Sequence, residues 1–153
     1  SGGVGEFRGG LGQVMEAYHL DDAPFMISAN YDRVQFPPRG RDGGGNGATG
    51  IVRLKSGRLL RGKGQQTIAE GEVFVLEMPG GGGLGDPLRR DPARIVADVT
   101  AGLVSREAAL RDYGVAFTAD GRIDDAATAA RRETILNARP AAGAISTTSG
   151  SDA

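Results

Sequence analysis

A chain of 153 residues with a net charge of −1 is long enough for one cored domain, and its charge gives no reason to expect nucleic acid or an anionic membrane as a partner. Cysteine is absent, which excludes a disulfide framework and thiol chemistry and fits a reducing, cytoplasmic compartment. Glycine is the outlier, 26 of 153 residues, against a usual level of about 7%.

No G-X-Y period runs through the glycines, so collagen is excluded. The composition predicts tight turns, close backbone approaches and a modest core, with part of the surface held against other chain. No apolar run approaches the roughly 20 residues of a membrane span. The chain opens at Ser1 without Met and without a signal-peptide pattern, as expected of a processed product, an excised segment or a subunit fragment.

Residues 1–12, SGGVGEFRGGLG, are too rich in glycine for a helix and predict a loop with its backbone close to something. QVMEAYHL follows, then Asp21-Asp22-Ala23-Pro24 as a turn. In FMISANY, Phe25, Ile27, Ala29 and Tyr31 alternate with Met26, Ser28 and Asn30, the period of a half-buried strand. The two runs are expected to pair as a hairpin. Residues 36–50 form a second loop, stiffened by Pro37 and Pro38. IVRL is a short strand, KSGR at 55–58 a turn, and further strands run to Met78, broken at 69–72. Short strands punctuated by glycine predict a sandwich or barrel-like region.

The run PGGGGLGDPLRRDP, Pro79 to Pro92, divides the chain. It leaves the apolar strand VFVLEM and leads to small helices. Four successive glycines predict a sharp turn, with positive φ at one or more of Gly80 to Gly83 and close packing on other backbone. Asp91 is a good N-cap with Pro92 at the first helical position. Ile95, Val96 and Val99 make one apolar face, and Gly102 ends this helix. Ser105 caps a second helix, with Glu107 in its first turn, Leu110 and Tyr113 facing inward, and Gly114 as its stop. VAFT is a candidate strand with Asp120-Gly121 as its turn. Asp124 or Asp125 starts an alanine-rich third helix running toward Arg139. The fold class is therefore α+β: a glycine-rich, mainly antiparallel β region followed by a small helical region. Residues 141–153 read as a disordered tail.

Candidate chemistry is sparse. His19 is the single histidine and has no His or Cys partner, so a surface or structural role outweighs a metal role. Ser1 would be an N-terminal nucleophile only if its amine were a true terminus, and a segment boundary is the simpler account. Gly80, Gly81, Gly82 and Gly83 form either a structural loop or a substrate-proximal one. GGGGLGDP lacks the Gly-Lys-Ser/Thr ending of a phosphate loop and the spacing of a dinucleotide fingerprint. Asp86 and Asp91 are either an acid/base pair or, more simply, a turn starter and a helix cap. Arg89 and Arg90 read as a solvated or subunit-facing pair. No catalytic residue and no metal ligand emerges.

SGGVGEFRGGLGQ, FPPRGRDGGGNG and GEVFVLEMPGGGGLGDPLRRDPARIVADVTAGLVSREAALRDYGV occur in an order that resembles the hydantoinase B/5-oxoprolinase family. More narrowly, the chain is similar to the C-terminal part of the B-type subunit. The resemblance covers residues 1–117, β-rich to 79, with the glycine loop at 79–92 and helices over 92–114. Residues 118–140 would be a peripheral helical extension.

The resemblance implies ATP-dependent hydrolysis of cyclic amides such as hydantoins, 5-oxoproline and lactams, or carboxylation of ketones such as acetone or acetophenone. An A-type subunit would phosphorylate the amide or carbonyl oxygen, and the B-type part would act on the activated small molecule. ATP, Mg and a catalytic divalent metal are implied for the complete enzyme and none for this segment. The family's metal-binding Asp and His residues would lie in the N-terminal part of the B-type subunit. Expected partners are that part and the A-type subunit, with no nucleic acid and no membrane. The segment alone should be inactive, and a non-catalytic assembly module is the reading from another class.

Overall fold

Five short strands make two small sheets. In the computed structural model, which describes residues 1–139, β1 (Val14–Ala17), β5 (Phe74–Glu77) and β3 (Ile51–Leu54) form one sheet in the order β1-β5-β3. The other sheet pairs β2 (Phe25–Asn30) with β4 (Lys63–Ile68). All pairings are antiparallel.

The expected β1–β2 hairpin does not form. Val14 lies opposite Glu77 and Ala17 opposite Phe74, whereas Phe25 lies opposite Ile68 and Asn30 opposite Lys63. The physical reason is the apolar face. Each sheet offers one apolar side, and the Tyr18–Pro24 connection carries the chain from one sheet to the other, so sequential strands meet across the core.

That core holds Val52, Leu54, Ile68, Phe74 and Leu76, with Phe25, Ile27, Tyr31 and Met78 packed on it. The rings of Tyr31 and Phe74 stack with centroids 6.2 Å apart. Burial of each large side chain contributes about 1.5–3 kcal/mol.

The turns between strands are the predicted ones. Gly57 and Gly71 both adopt positive φ there. The Gly57 N–H donates to the Leu54 carbonyl at 3.0 Å, and the Glu72 N–H to that of Ala69 at 3.2 Å.

The helices follow their caps. Asp86 accepts from the Leu88 N–H at the start of a 3-10 turn, Pro87–Arg89. Asp91 caps α1 (Pro92–Thr100) by accepting from the Ala93 N–H. Ser105 caps α2 (Arg106–Tyr113) by accepting from the Ala108 N–H, and Gly114 ends it at φ +65°. Asp124 caps α3 (Asp125–Asn137). Phe117 and Ile123 form an isolated antiparallel bridge.

One inward position differs from expectation. Ala109 and Tyr113, four residues apart, face the interior of α2, and Leu110 is exposed. With only eight residues, this helix has one narrow buried stripe, and the i, i+4 pair occupies it.

A second core joins Ile95, Ala109, Tyr113 and Val115, with Val4, Val99, Val104 and Phe117 against it. Val4 belongs to the first glycine segment and ties that segment to the helices. α3 attaches mainly through polar contacts. The Thr128 hydroxyl accepts from the Ala116 N–H at 3.0 Å, and Arg132 donates to the carbonyls of Tyr113 and Arg90.

Among the described residues, no helix is long and apolar enough to cross a membrane. The predicted disordered tail, 141–153, lies outside the described residues.

Candidate functional site

Three glycine-rich segments, residues 2–10, 40–47 and 80–85, run side by side and bond backbone to backbone. The Gly3 N–H donates to the Gly81 carbonyl at 2.8 Å, and that of Gly81 to Gly10 at 2.9 Å. The Gly45 N–H donates to Val4 at 2.7 Å, and that of Gly83 to Gly45 at 2.9 Å. Arg41 then donates to Gly83, while Phe7 and Leu84 exchange both their bonds. None of residues 80–83 is helix or strand, and these four glycines have no side chains to pack. Backbone meets backbone, as in other glycine assemblies where only a hydrogen fits at the crowded axis.

The expected positive φ at Gly80 to Gly83 is absent. Positive φ falls instead at Gly85, +75°, and at Gly43, +88°. Close approach is what calls for glycine in the run. A Cβ at Gly83 would overlap the Val4 carbonyl oxygen, and one at Gly82 the Arg39 carbonyl oxygen. A Cβ at Gly80 would come within 2.6 Å of the Ser1 oxygen. Gly81 is looser, its nearest neighbour being the Gly10 nitrogen at 3.4 Å.

Asp86 and Asp91 make separate contacts. Asp86 forms a two-pronged ion pair with Arg139 at 2.6 and 2.7 Å. The Arg139 guanidinium first, and the Leu88 N–H with it, hold the Asp86 carboxyl below its ordinary range. Asp91 serves as the α1 cap. His19 lies on the exposed β1–β2 connection and accepts from the Asp21 N–H.

Beneath the bundle lies a charge cluster that the sequence did not disclose. Arg90 Nη2 donates to Asp98 Oδ2 at 2.8 Å, and Arg8 Nε lies 3.5 Å from the same oxygen. Arg90 Nη1 also donates to the Glu6 carbonyl. The Arg89–Arg90 pair is therefore split. Arg89 is exposed beside Glu6, whereas Arg90 is buried, because the Asp91-capped helix directs Asp98 inward to meet it. A signal was present: Asp98 stands three residues after Ile95, on the inward stripe of α1. Tyr113 reaches the same cluster, and burial is the main cause that pushes its phenol up.

The N–H groups of Gly81 and Gly83 are already bonded within the bundle and are not free to cradle a nucleotide phosphate. Nor do the residues fit a divalent metal: among the described residues no three His, Cys, Asp or Glu side chains converge.

This glycine-packed α+β architecture corresponds to a known class. The Hydantoinase B/oxoprolinase family pattern matches residues 1–87. The chain belongs to that family. It is 40% identical over 143 residues to the beta subunit of the caprolactamase of Pseudomonas jessenii, covering 86% of this chain and 24% of that protein. It is 33% identical over 126 residues to the putative B-type subunit of a D-/L-hydantoinase of Pseudomonas sp. (strain NS671), covering 78% and 21%. The crystal structure of the ATP-dependent caprolactamase from Pseudomonas jessenii superposes with a TM-score of 0.62 at 32% identity, over 85% of this chain and 24% of that one. The chain thus spans about a quarter of the length of these relatives.

Proposed function

We propose that this chain is the glycine-bundle portion of a B-type subunit in an ATP-dependent cyclic amide hydrolase of the cytoplasm. The observation that carries the proposal is the similarity to the beta subunit of a caprolactamase, which extends over 86% of the chain; the family pattern over residues 1–87 includes all three glycine segments. An amide is a poor electrophile. Phosphorylation of its oxygen by ATP makes that oxygen a leaving group, and a metal-bound hydroxide is a suitable attacking group for the activated carbon. The A-type subunit and the N-terminal part of the B-type chain would hold ATP, Mg and the divalent metal. No step is assigned to residues of this chain. Its role is architectural: Gly80, Gly81, Gly82 and Gly83 fix the bundle, and Asp86 anchors its exit to Arg139.

The test is ring opening by the complete B-type subunit together with its A-type partner. With caprolactam, hydantoin and 5-oxoproline offered separately, one should yield the open-chain acid with stoichiometric loss of ATP. Carboxylated ketone from acetone and bicarbonate, with no ring opening, would replace this reading by a ketone carboxylase.

A further inference from the structure

A cleft of about 340 Å3 lies between the glycine bundle and α2, lined by Val4, Arg8, Leu11, Asn46, Ala108 and Tyr113 among others. The charge cluster stands beside it. Two guanidiniums, Arg8 and Arg90, share the single carboxylate of Asp98, so one positive charge is left over. Arg111 at the rim adds none, because Asp112 pairs with it at 2.7 Å.

Donors are also in excess. Arg8 Nη1 donates to the Gly9 carbonyl, and its buried Nε, 3.5 Å from Asp98 Oδ2, makes no hydrogen bond among the described residues. Tyr113 is 1% exposed, and its buried hydroxyl has no partner there either. Burial keeps that phenol protonated, so it remains a donor. A buried donor without an acceptor costs about 1–3 kcal/mol. Both residues line the cleft, so an acceptor outside the described residues that enters it would satisfy them.

The surroundings narrow the acceptor's chemistry. One surplus positive charge calls for a monoanion, and the nearby carboxylates of Asp98 and Asp112 oppose a dianion such as phosphate. A guanidinium edge matches the two oxygens of a carboxylate. Val4, Leu11 and Ala108 supply an apolar wall for an aliphatic body. We propose that this cleft binds a carboxylate with an aliphatic stem, held by the Arg8 guanidinium and the Tyr113 hydroxyl, with the Asn46 amide beside it. The carboxylate has two candidate sources: a free small acid, or an Asp or Glu side chain from elsewhere in the complete subunit.

The experiment uses the complete subunit and hexanoate as the probe. Calorimetric titration is run on the unaltered protein, Arg8→Gln and Tyr113→Phe. Melting temperatures are recorded for all three without hexanoate. Tyr113→Phe removes only a hydroxyl without a partner among the described residues, so a folded variant is expected. A free acid as ligand gives hexanoate binding that weakens at least tenfold in Arg8→Gln and severalfold in Tyr113→Phe, with the Tyr113→Phe melting temperature unchanged. A side-chain carboxylate gives no hexanoate binding, and Tyr113→Phe then melts several degrees lower. Hexanoate binding that both variants retain in full overturns the proposal. So does no binding together with an unchanged or raised melting temperature for Tyr113→Phe.

Discussion

Asp86 illustrates how a residue picked out for its chemistry serves the architecture. Its carboxylate is held by the Arg139 guanidinium and the Leu88 N–H, so its folded pKa lies below the ordinary value of 3.8. The unfolded chain then binds the proton more tightly than the folded one. The resulting stability is fully present above the ordinary value and is lost as pH falls through the folded value. Arg139 is shifted upward by the same pair, so its contribution is lost only under strongly alkaline conditions. Asp86→Asn should therefore lower the melting temperature at neutral pH and flatten its fall in acid. Both groups are partly exposed, which limits the effect to about 1 kcal/mol or less. Melting curves between neutral and strongly acidic pH check this, and an acid limb as steep as in the unaltered protein would contradict it. Asp98 carries more weight. Truncation to Ala leaves the Arg90 charge buried without its partner, a loss of about 3–5 kcal/mol, measurable by urea denaturation.

At the scale of elements, local signals were legible wherever local chemistry decides. Asp91, Ser105 and Asp124 all cap helices, and Gly114 ends one, as their side chains and backbone freedom require. Strand pairing was not legible, because β1 and β2 pair with strands distant in the chain, β5 and β4, rather than with each other. The glycine run was found, and of its two expected reasons close packing on other backbone holds while positive φ does not. Absence of a side chain can serve left-handed backbone or close contact, and the sequence alone does not separate the two. Alanine substitutions do. Gly83→Ala places a methyl group on the Val4 carbonyl oxygen and should cost about 1–3 kcal/mol. Gly10→Ala meets nothing within 4 Å and should be neutral or stabilise by up to about 1 kcal/mol through the unfolded chain. Equal denaturation midpoints for the two variants would show that close approach is not the constraint.

Across the whole molecule, the bundle is the joint between two cores. Its Val4 side chain packs in the helical core, and its 80–85 segment continues from β5 of the sandwich core. The charge cluster at that joint escaped the sequence because Arg8, Arg90 and Asp98 lie far apart in the chain or on different elements, and only the tertiary fold assembles them. Several large apolar side chains remain outward, among them Leu20, Phe36 and Leu59, all more than 70% exposed. That accords with a segment whose relatives are about four times longer.

The backbone-only joint also has a consequence in time. Its bonds link Ser1 to Ala48 and Gly3 to Gly81, so each closes a long loop. It also orders glycines, which lose the most conformational freedom of any residue. Apart from Val4, which joins the helical core, the contacts between the three segments are backbone to backbone and gather little apolar surface in advance. The two apolar cores must therefore gather first and bring the three segments within reach, leaving the bundle to lock after the rate-limiting barrier. Gly83→Ala should then accelerate unfolding by nearly its full loss in stability and leave the refolding rate almost unchanged. Stopped-flow measurement of both limbs would reveal this, and slowed refolding would place the bundle in the folding nucleus instead.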